Sequence, residues 1–273
     1  MTGLELSEVG STNTWLLQNE AGKPDLFTVY TFRQTAGRGQ TGNHWESEPG
    51  KNLSFSTLFR LDTIEQTTRL NMLIPLAVLE VVMRVQGARF KVQENDNRTS
   101  PSLCDTSPTL GEELKKSTPP TLGGELKIKW PNDIYWREKK LAGLLNENVF
   151  VGHRPVCSVA GVGLNVNQTV FRSDAPNPVS LKQITGKDYP LVPLLEAIVG
   201  KFAELRPLLD RPAELHEAYM SRLFRREGLH AYEAAGTRFS AAIEDVDAFG
   251  RLVLKTEDGQ RRAFGFKEVK FVL

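Results

Sequence analysis

Gly37-Arg38-Gly39-Gln40-Thr41-Gly42 matches the dinucleotide spacing G-x-G-x-x-G, and the alternating run Phe27-Thr28-Val29-Tyr30-Thr31-Phe32 places a strand before it. A Rossmann loop must then open a helix whose N-terminus holds a pyrophosphate. Asn43-His44-Trp45-Glu46-Ser47-Glu48-Pro49-Gly50 cannot continue as that helix, so the nicotinamide reading is set aside. What remains is a glycine loop able to wrap backbone N–H groups and the Arg38 guanidinium around an anion, with Trp45 at its far end. An ordinary hairpin loop is the plain alternative.

Outward from this loop the pattern is that of a mixed α/β (α+β) chain. Toward the N-terminus, residues 4–9 read as a short strand, and Ser11-Thr12 offers hydroxyl caps to a helix bearing Trp15, Leu16 and Leu17, which Gly22 and Pro24 stop. Toward the C-terminus, residues 53–59 alternate as a second strand, predicting a sheet with one wetter face. Residues 64–85 repeat apolar side chains at helical spacing, with Pro75 expected to kink or delay the helix. Residues 127–130 alternate, residues 133–136 lead into a turn, and residues 141–150 and 156–166 supply two more strands of a substantial mixed or antiparallel sheet. Helical spacing returns over 191–205 and 213–224. After Arg226 come short alternating runs at 238–246, 251–255, 261–264 and 269–272, with Asp258-Gly259 as a hairpin signal. The expected organisation is a large domain over 1–226 and a small β-barrel over 227–273. Residues 93–125 are polar and carry a local repeat, Pro108-Thr109-Leu110-Gly111-Glu112 echoed as Pro120-Thr121-Leu122-Gly123-Gly124, and read as a surface insertion.

Composition narrows the function classes. With 273 residues, 34 Lys plus Arg against 33 Asp plus Glu leaves +1, without the basic excess that dominates nucleic-acid binding. No run approaches the roughly 18 apolar residues of a membrane span, and no targeting segment opens the chain, so a cytoplasmic protein is expected. Cys104 and Cys157 make no disulfide framework, and His44, His153, His216 and His230 lack metal-ligand spacing. Metal-binding residues stay unassigned.

Three further stretches carry candidate chemistry. Lys129-Trp130-Pro131-Asn132-Asp133 sets an amide and a carboxylate on a Pro-fixed turn, where plain turn formation is the bland alternative. Lys139-Lys140-Leu141-Ala142-Gly143 starts a strand with a cation, either solvated or reaching back into a site. Ala160-Gly161-Val162-Gly163-Leu164-Asn165 alternates two glycines on one strand face, which lets a flat ligand lie against the backbone or marks a bulge.

Taken in order and spacing, Ser11-Thr12-Asn13, Gln34 through Trp45, Lys129 through Asp133, Lys140 through Gly143 and Gly161 through Asn165 resemble the biotin protein ligases, also called biotin acetyl-CoA-carboxylase ligases. The resemblance covers nearly the whole chain outside residues 93–125. It implies a class II synthetase-like catalytic domain with a mixed central sheet, followed by an SH3-like β-barrel. It also implies an enzyme that uses ATP and Mg2+ to convert biotin to biotinyl-5'-AMP and passes the biotinyl group to a lysine of a biotin carboxyl carrier domain. By resemblance, Lys140 and Arg38 are the catalytic cations. Ser11, Thr12, Asn13 and Gln34 address biotin, with Gly37, Gly143 and Gly161 giving close backbone approach. Trp45, Lys129, Asn132, Asp133 and Asn165 address ATP together with Arg38 and Lys140, Asp133 ordering Arg38 or the ribose. Relatives that double as repressors carry a winged-helix domain, whereas ten residues precede Ser11 here, so DNA binding is not expected. The resemblance allows a homodimer.

One departure stands out: the family loop often reads G-R-G-R-R-G, and Gln40 and Thr41 replace both inner arginines here. Two other classes stay open on the sequence. A lipoate-protein ligase or octanoyltransferase would share the fold but has less need for polar groups at Ser11, Thr12 and Gln34. A non-catalytic binding protein would have no need of both Lys140 and Arg38.

Overall fold

The computed structural model describes residues 1–40, 44–85, 125–173 and 177–273. The repeat-bearing insertion lies outside the described residues apart from Glu125, and so does Cys104.

The seven strands of the main sheet are β1 (Gly3–Glu5), β2 (Thr28–Thr31), β3 (Leu53–Arg60), β4 (Leu126–Lys129), β5 (Asp133–Trp136), β6 (Lys139–Val151) and β7 (Arg154–Leu164). Their order is β1-β2-β3-β7-β6-β5-β4. Only β1 and β2 pair in parallel, so the sheet is mixed, as expected. The run at 133–136, read as an approach to a turn, is itself a strand, and the turn follows at Arg137, which has φ 52°.

Helix α1 (Thr12–Gln18) is N-capped by Ser11, whose hydroxyl accepts from the Thr14 N–H. It lies on the β2-β3-β7 part of one sheet face, where Leu16 joins Val29, Leu58, Cys157 and Val159 in a small apolar cluster. On the opposite face α2 (Ile64–Val85) packs across β4 to β7 and anchors the main core with Phe55, Phe59, Ile128 and Val162. Two sequence expectations give way. The sheet has no solvent-exposed face at β3, because α1 and the Trp45 indole cover one side and helices the other, and seven of its eight residues are buried. Pro75 does not interrupt α2; its ring sits in the core and the helix forgoes one backbone hydrogen bond there.

The helices α3 (Leu181–Thr185), α4 (Leu191–Leu205) and α5 (Pro212–Met220) follow, with a 3-10 turn (Arg206–Asp210) before α5. Helix α3 was not expected, yet Ser180 and Gln183 form a reciprocal capping box whose S-x-x-Q signature is in the sequence.

The C-terminal strands β8 (His230–Ala234), β9 (Thr237–Val246), β10 (Leu252–Thr256), β11 (Arg261–Phe264) and β12 (Lys270–Phe271) make a five-stranded antiparallel sheet in the order β11-β10-β9-β8-β12. Gly259, at φ +85°, makes the tight turn that Asp258-Gly259 signalled. This sheet is fastened to the main body. Trp130 Nε1 donates to the Gly250 carbonyl at 3.0 Å, Arg225 and Arg226 donate to the carbonyls of Val272 and Ile243, and His216 Nε2 lies 2.7 Å from Asp245 Oδ1.

Candidate active site

Directly paired strand residues share a face, so Ser56, Gly161 and Leu145 point the same way, as do Ser54, Gly163 and Gly143. This is the α1 face, continued beyond the helix. Where α1 ends its cover, glycines replace side chains and leave a cavity of about 210 Å³. From the N-terminal side it is lined by Ser11, Thr12, Asn13, Gln34, Arg38 and Trp45; from the sheet by Lys129, Asn132, Asp133, Lys140, Gly143 and Gly161. Five stretches scattered over more than 150 residues thus converge, because β3, β7, β6 and β5 are consecutive neighbours in the sheet.

At one end of the cavity a polar network joins α1 to the sheet. The Thr12 N–H and hydroxyl both donate to Gln34 Oε1, at 3.0 and 3.3 Å. The Ser56 hydroxyl lies 2.8 Å from Thr12 Oγ1 and 2.5 Å from Asn13 Oδ1, while Asn13 Nδ2 donates to the Leu145 carbonyl and, at 2.8 Å, to Glu147. A Cβ on Gly161 would stand 2.1 Å from Asn13 Oδ1, so only glycine admits this amide. At the other end lies the Trp45 indole. A Cβ on Gly163 would come within 2.3 Å of it and one on Gly143 within 3.1 Å. The expectation that a flat ligand lies on this glycine face is thereby corrected for the protein itself: Asn13 covers Gly161, and the indole covers Gly163. The Trp45 Nε1–H is buried with no protein acceptor among the described residues.

The cations sit between these ends. Lys140 Nζ pairs with Asp133 Oδ1 at 2.8 Å and lies 6.0 Å from the Trp45 ring centroid. Arg38 bonds both oxygens of Glu147, at 3.1 and 2.8 Å. Asp133 therefore orders Lys140 and not Arg38, whose partner is a carboxylate that sequence reasoning missed. The signal was present: Gly143, Leu145 and Glu147 alternate on one strand, and a carboxylate on a face that is otherwise buried asks for a partner. Lys129 rests over the rings of Tyr135 (5.2 Å) and Phe271 (4.8 Å). Burial pushes its pKa down; Asp133 opposes that shift while Lys140 and Arg225 add to it. Ser56 and Phe266 also escaped the sequence reading, the latter because it comes from the turn between β11 and β12, far along the chain from the other lining residues.

Two selected residues do not line the cavity. Gly37 closes the neck of the glycine loop, its carbonyl accepting from the Trp45 N–H at 2.9 Å, and a Cβ there would strike the Trp45 carbonyl at 2.5 Å. Asn165 is buried, and its amide donates to the Val179 carbonyl at 3.1 Å, while the Val179 N–H donates to the Lys140 carbonyl. It supports the strand that carries Lys140. Asn132 lines the cavity, but its Nδ2 is engaged by the Leu144 carbonyl.

Comparison with known proteins gives a consistent picture. The family model described as biotin/lipoate A/B protein ligase matches residues 7–165. The bifunctional ligase/repressor BirA of Bacillus spizizenii is 25% identical over 270 residues, which cover 95% of this chain and 70% of that protein. A biotin–[acetyl-CoA-carboxylase] ligase of Paracoccus denitrificans is 25% identical, covering 94% and 95% of the two chains. Among solved structures, the biotin protein ligase from Aquifex aeolicus in complex with biotin and ATP superposes with a TM-score of 0.70 at 21% identity, over 99% of each chain.

Proposed function

Since the chain belongs to the biotin/lipoate A/B protein ligase family, we propose that it is an ATP-dependent biotin protein ligase, which activates biotin as biotinyl-5'-AMP and transfers the biotinyl group to a lysine of a biotin carboxyl carrier domain. The observation that carries this reading is the convergence of a polar ureido-sized network, Thr12, Asn13, Gln34 and Ser56, with Lys140 and Arg38 and the Trp45 indole in one cavity. Lipoate, with its aliphatic tail, makes little use of the first of these.

In the first step an oxygen of the biotin carboxylate bonds to the α-phosphorus of ATP and pyrophosphate leaves. Two anions must meet, so catalysis is mainly clamping and positioning by cations already in place. Lys140, steadied by Asp133, faces the carboxylate and α-phosphate; Arg38 moves from Glu147 onto the same oxygens. In the second step the carrier lysine, as free amine, bonds to the acyl carbon, AMP departs and the amine loses a proton. Ser11, Thr12, Asn13 and Gln34 bind the ureido ring, with Gly143 giving backbone approach, Gly161 making room for the Asn13 amide and Gly37 for the neck of the glycine loop. Trp45, Asn132 and Asp133 attend the nucleotide, with Lys129 adding charge and Asn165 acting through the Lys140 strand. Mg2+ would enter as MgATP, held by the phosphates. No described helix is long and apolar enough to cross a membrane. We read residues 227–273 as a small SH3-like barrel domain that follows the catalytic domain over 1–226 and lends it Phe266.

The test is mass spectrometry of a carboxylase carrier domain incubated with the protein, MgATP and either biotin or lipoate. A biotinyl mass shift on one lysine is expected. Lipoylation alone, or no modification and no pyrophosphate release, would refute the proposal.

A further inference from the structure

Glu46 follows Trp45 directly, and its carboxylate has no cationic partner among the contacts that hold it. Oε1 accepts from the Gln168 amide and from the Arg172 N–H, both at 3.0 Å. Oε2 accepts from the Arg172 N–H at 3.0 Å and from the Ser173 N–H at 2.7 Å. Two consecutive backbone N–H groups aimed at one anion form a nest, and charge-assisted hydrogen bonds of this kind are about twice as strong as neutral ones. Gln168 is itself fully committed. Its Oε1 accepts from the Glu48 N–H and from Asn52, and its Nε2 donates to the Val170 carbonyl as well as to Glu46. Burial alone would raise the Glu46 carboxyl, but the hydrogen bonds from Ser173, Arg172 and Gln168 outweigh it and hold the group below the usual carboxylate range. The anion is thus the form that is clasped.

The clasped segment leads to the catalytic cation. Asn177 and Val179 pair with the backbone of Lys140, the Asn177 carbonyl accepting from the Lys140 N–H at 2.8 Å and the Val179 N–H donating back at 2.9 Å. On the two sides of residues 174–176, which lie outside the described residues, Arg172 and Ser173 receive Glu46, and Asn177 and Val179 pair with the Lys140 backbone. Among the described residues, Trp45 is otherwise held by its N–H on Gly37, by contact with the glycine face and by Lys140 Nζ over its ring. In the loop before Trp45, Gln40 and Thr41 carry no charge.

We propose that Glu46 is a positioning residue for the nucleotide side of the site, its clasp on Arg172 and Ser173 holding the Trp45 indole against Gly143 and Gly163 and in register with Lys140. The proposal rests on the reading of Trp45 as the wall against ATP. Cutting the clasp should loosen ATP and the adenylate while leaving the biotin network of Thr12, Asn13 and Gln34 in place.

The experiment compares wild type, Glu46→Gln and Glu46→Asp. For Glu46→Gln, KM for MgATP should rise and biotinyl-adenylate should dissociate faster, each about tenfold, the scale of one lost charge-assisted contact, with KM for biotin within about twofold. Glu46→Asp, which keeps the charge, should recover part of both. Amide hydrogen exchange at Arg172 and Ser173 should quicken in Glu46→Gln. If exchange quickens but KM for MgATP and adenylate release stay at wild-type values, Glu46 only ties a loop and the proposal is overturned. Equal rises in both KM values, or failure of both variants to fold, overturn it too. Failure of the wild type to form adenylate refutes the ligase reading instead, and unchanged exchange in Glu46→Gln would still refute the clasp.

Discussion

The α1 side of the main sheet has two halves that share β3 and β7, the first reaching onto β2 and the second onto β6. In the first, Leu58, Cys157 and Val159 meet Leu16 and Val29 in a dry cluster where every one of these side chains is fully buried. Burial raises the Cys157 thiol to about 11, so it is an inert core side chain. In the second half, Gly161 and Gly163, further along β7, and Gly143 on β6 remove side chains. A polar network and an indole occupy the space. The backbone hydrogen bonding continues through both. Strand pairing therefore supplies a rigid platform, and the choice between core and site is made by the side chains on it. Substitutions in the first half should cost stability; in the second, chemistry.

The largest expected effect lies at the edge of the second half. Lys140→Ala should slow adenylate formation by roughly 10²-fold or more, the scale of one lost electrostatic clamp, with an unchanged unfolding midpoint. A near-normal rate of pyrophosphate release would remove Lys140 from the mechanism. Leu58→Ala makes the opposite case. Its side chain is fully buried, so about 2–5 kcal/mol of stability should be lost in denaturant unfolding, with KM for biotin and ATP unchanged in the folded fraction. If KM shifts as well, the halves are mechanically coupled and the division is too sharp.

Gly161→Ala probes the boundary between them. The new methyl displaces Asn13 from Leu145, Glu147 and Ser56, and overpacking of this kind costs about 1–3 kcal/mol. Calorimetry should show biotin affinity reduced about tenfold, as for a lost polar contact in a buried site, while ATP affinity holds. The smallest effect is a pH difference. Glu46 has a depressed folded-state pKa, so its contribution to stability is complete above its unfolded value near 4.5 and fades as pH falls through the lower folded value. Wild type and Glu46→Gln should accordingly differ in unfolding midpoint at neutral pH and converge in acid. A gap that persists at the lowest pH would mean that the charge is not what the clasp uses.

Local pattern alone placed most elements to within a few residues. Helix α2 has the bounds its apolar spacing predicts, and β3 extends by one residue, because helical and strand periodicities survive whatever they are packed against. The site residues were legible as blocks of residue types at family spacing, and twelve of the fourteen selected line the cavity. What escaped was of one kind. Glu147, Ser56 and Phe266 lie on strands or turns with no motif of their own, and their relevance arises only when a partner from a distant part of the chain arrives.

The amino-acid sequence by itself determined the element types and the failure of the glycine loop to be a Rossmann loop, since these follow from local sterics and periodicity, while the set of polar and cationic groups for an acyl-adenylate chemistry came from the resemblance of its motif blocks to the family. Tertiary structure alone decided the pairings: Asp133 with Lys140, Glu147 with Arg38 and Asn13, Trp45 on Gly163, and Glu46 on Arg172 and Ser173. Partner choice among charged and polar groups is set by which side chains share a face and how far water is excluded. Those depend on strand order and register, which, for all of these pairs but Asp133 with Lys140 across neighbouring β5 and β6, join residues more than a hundred positions apart.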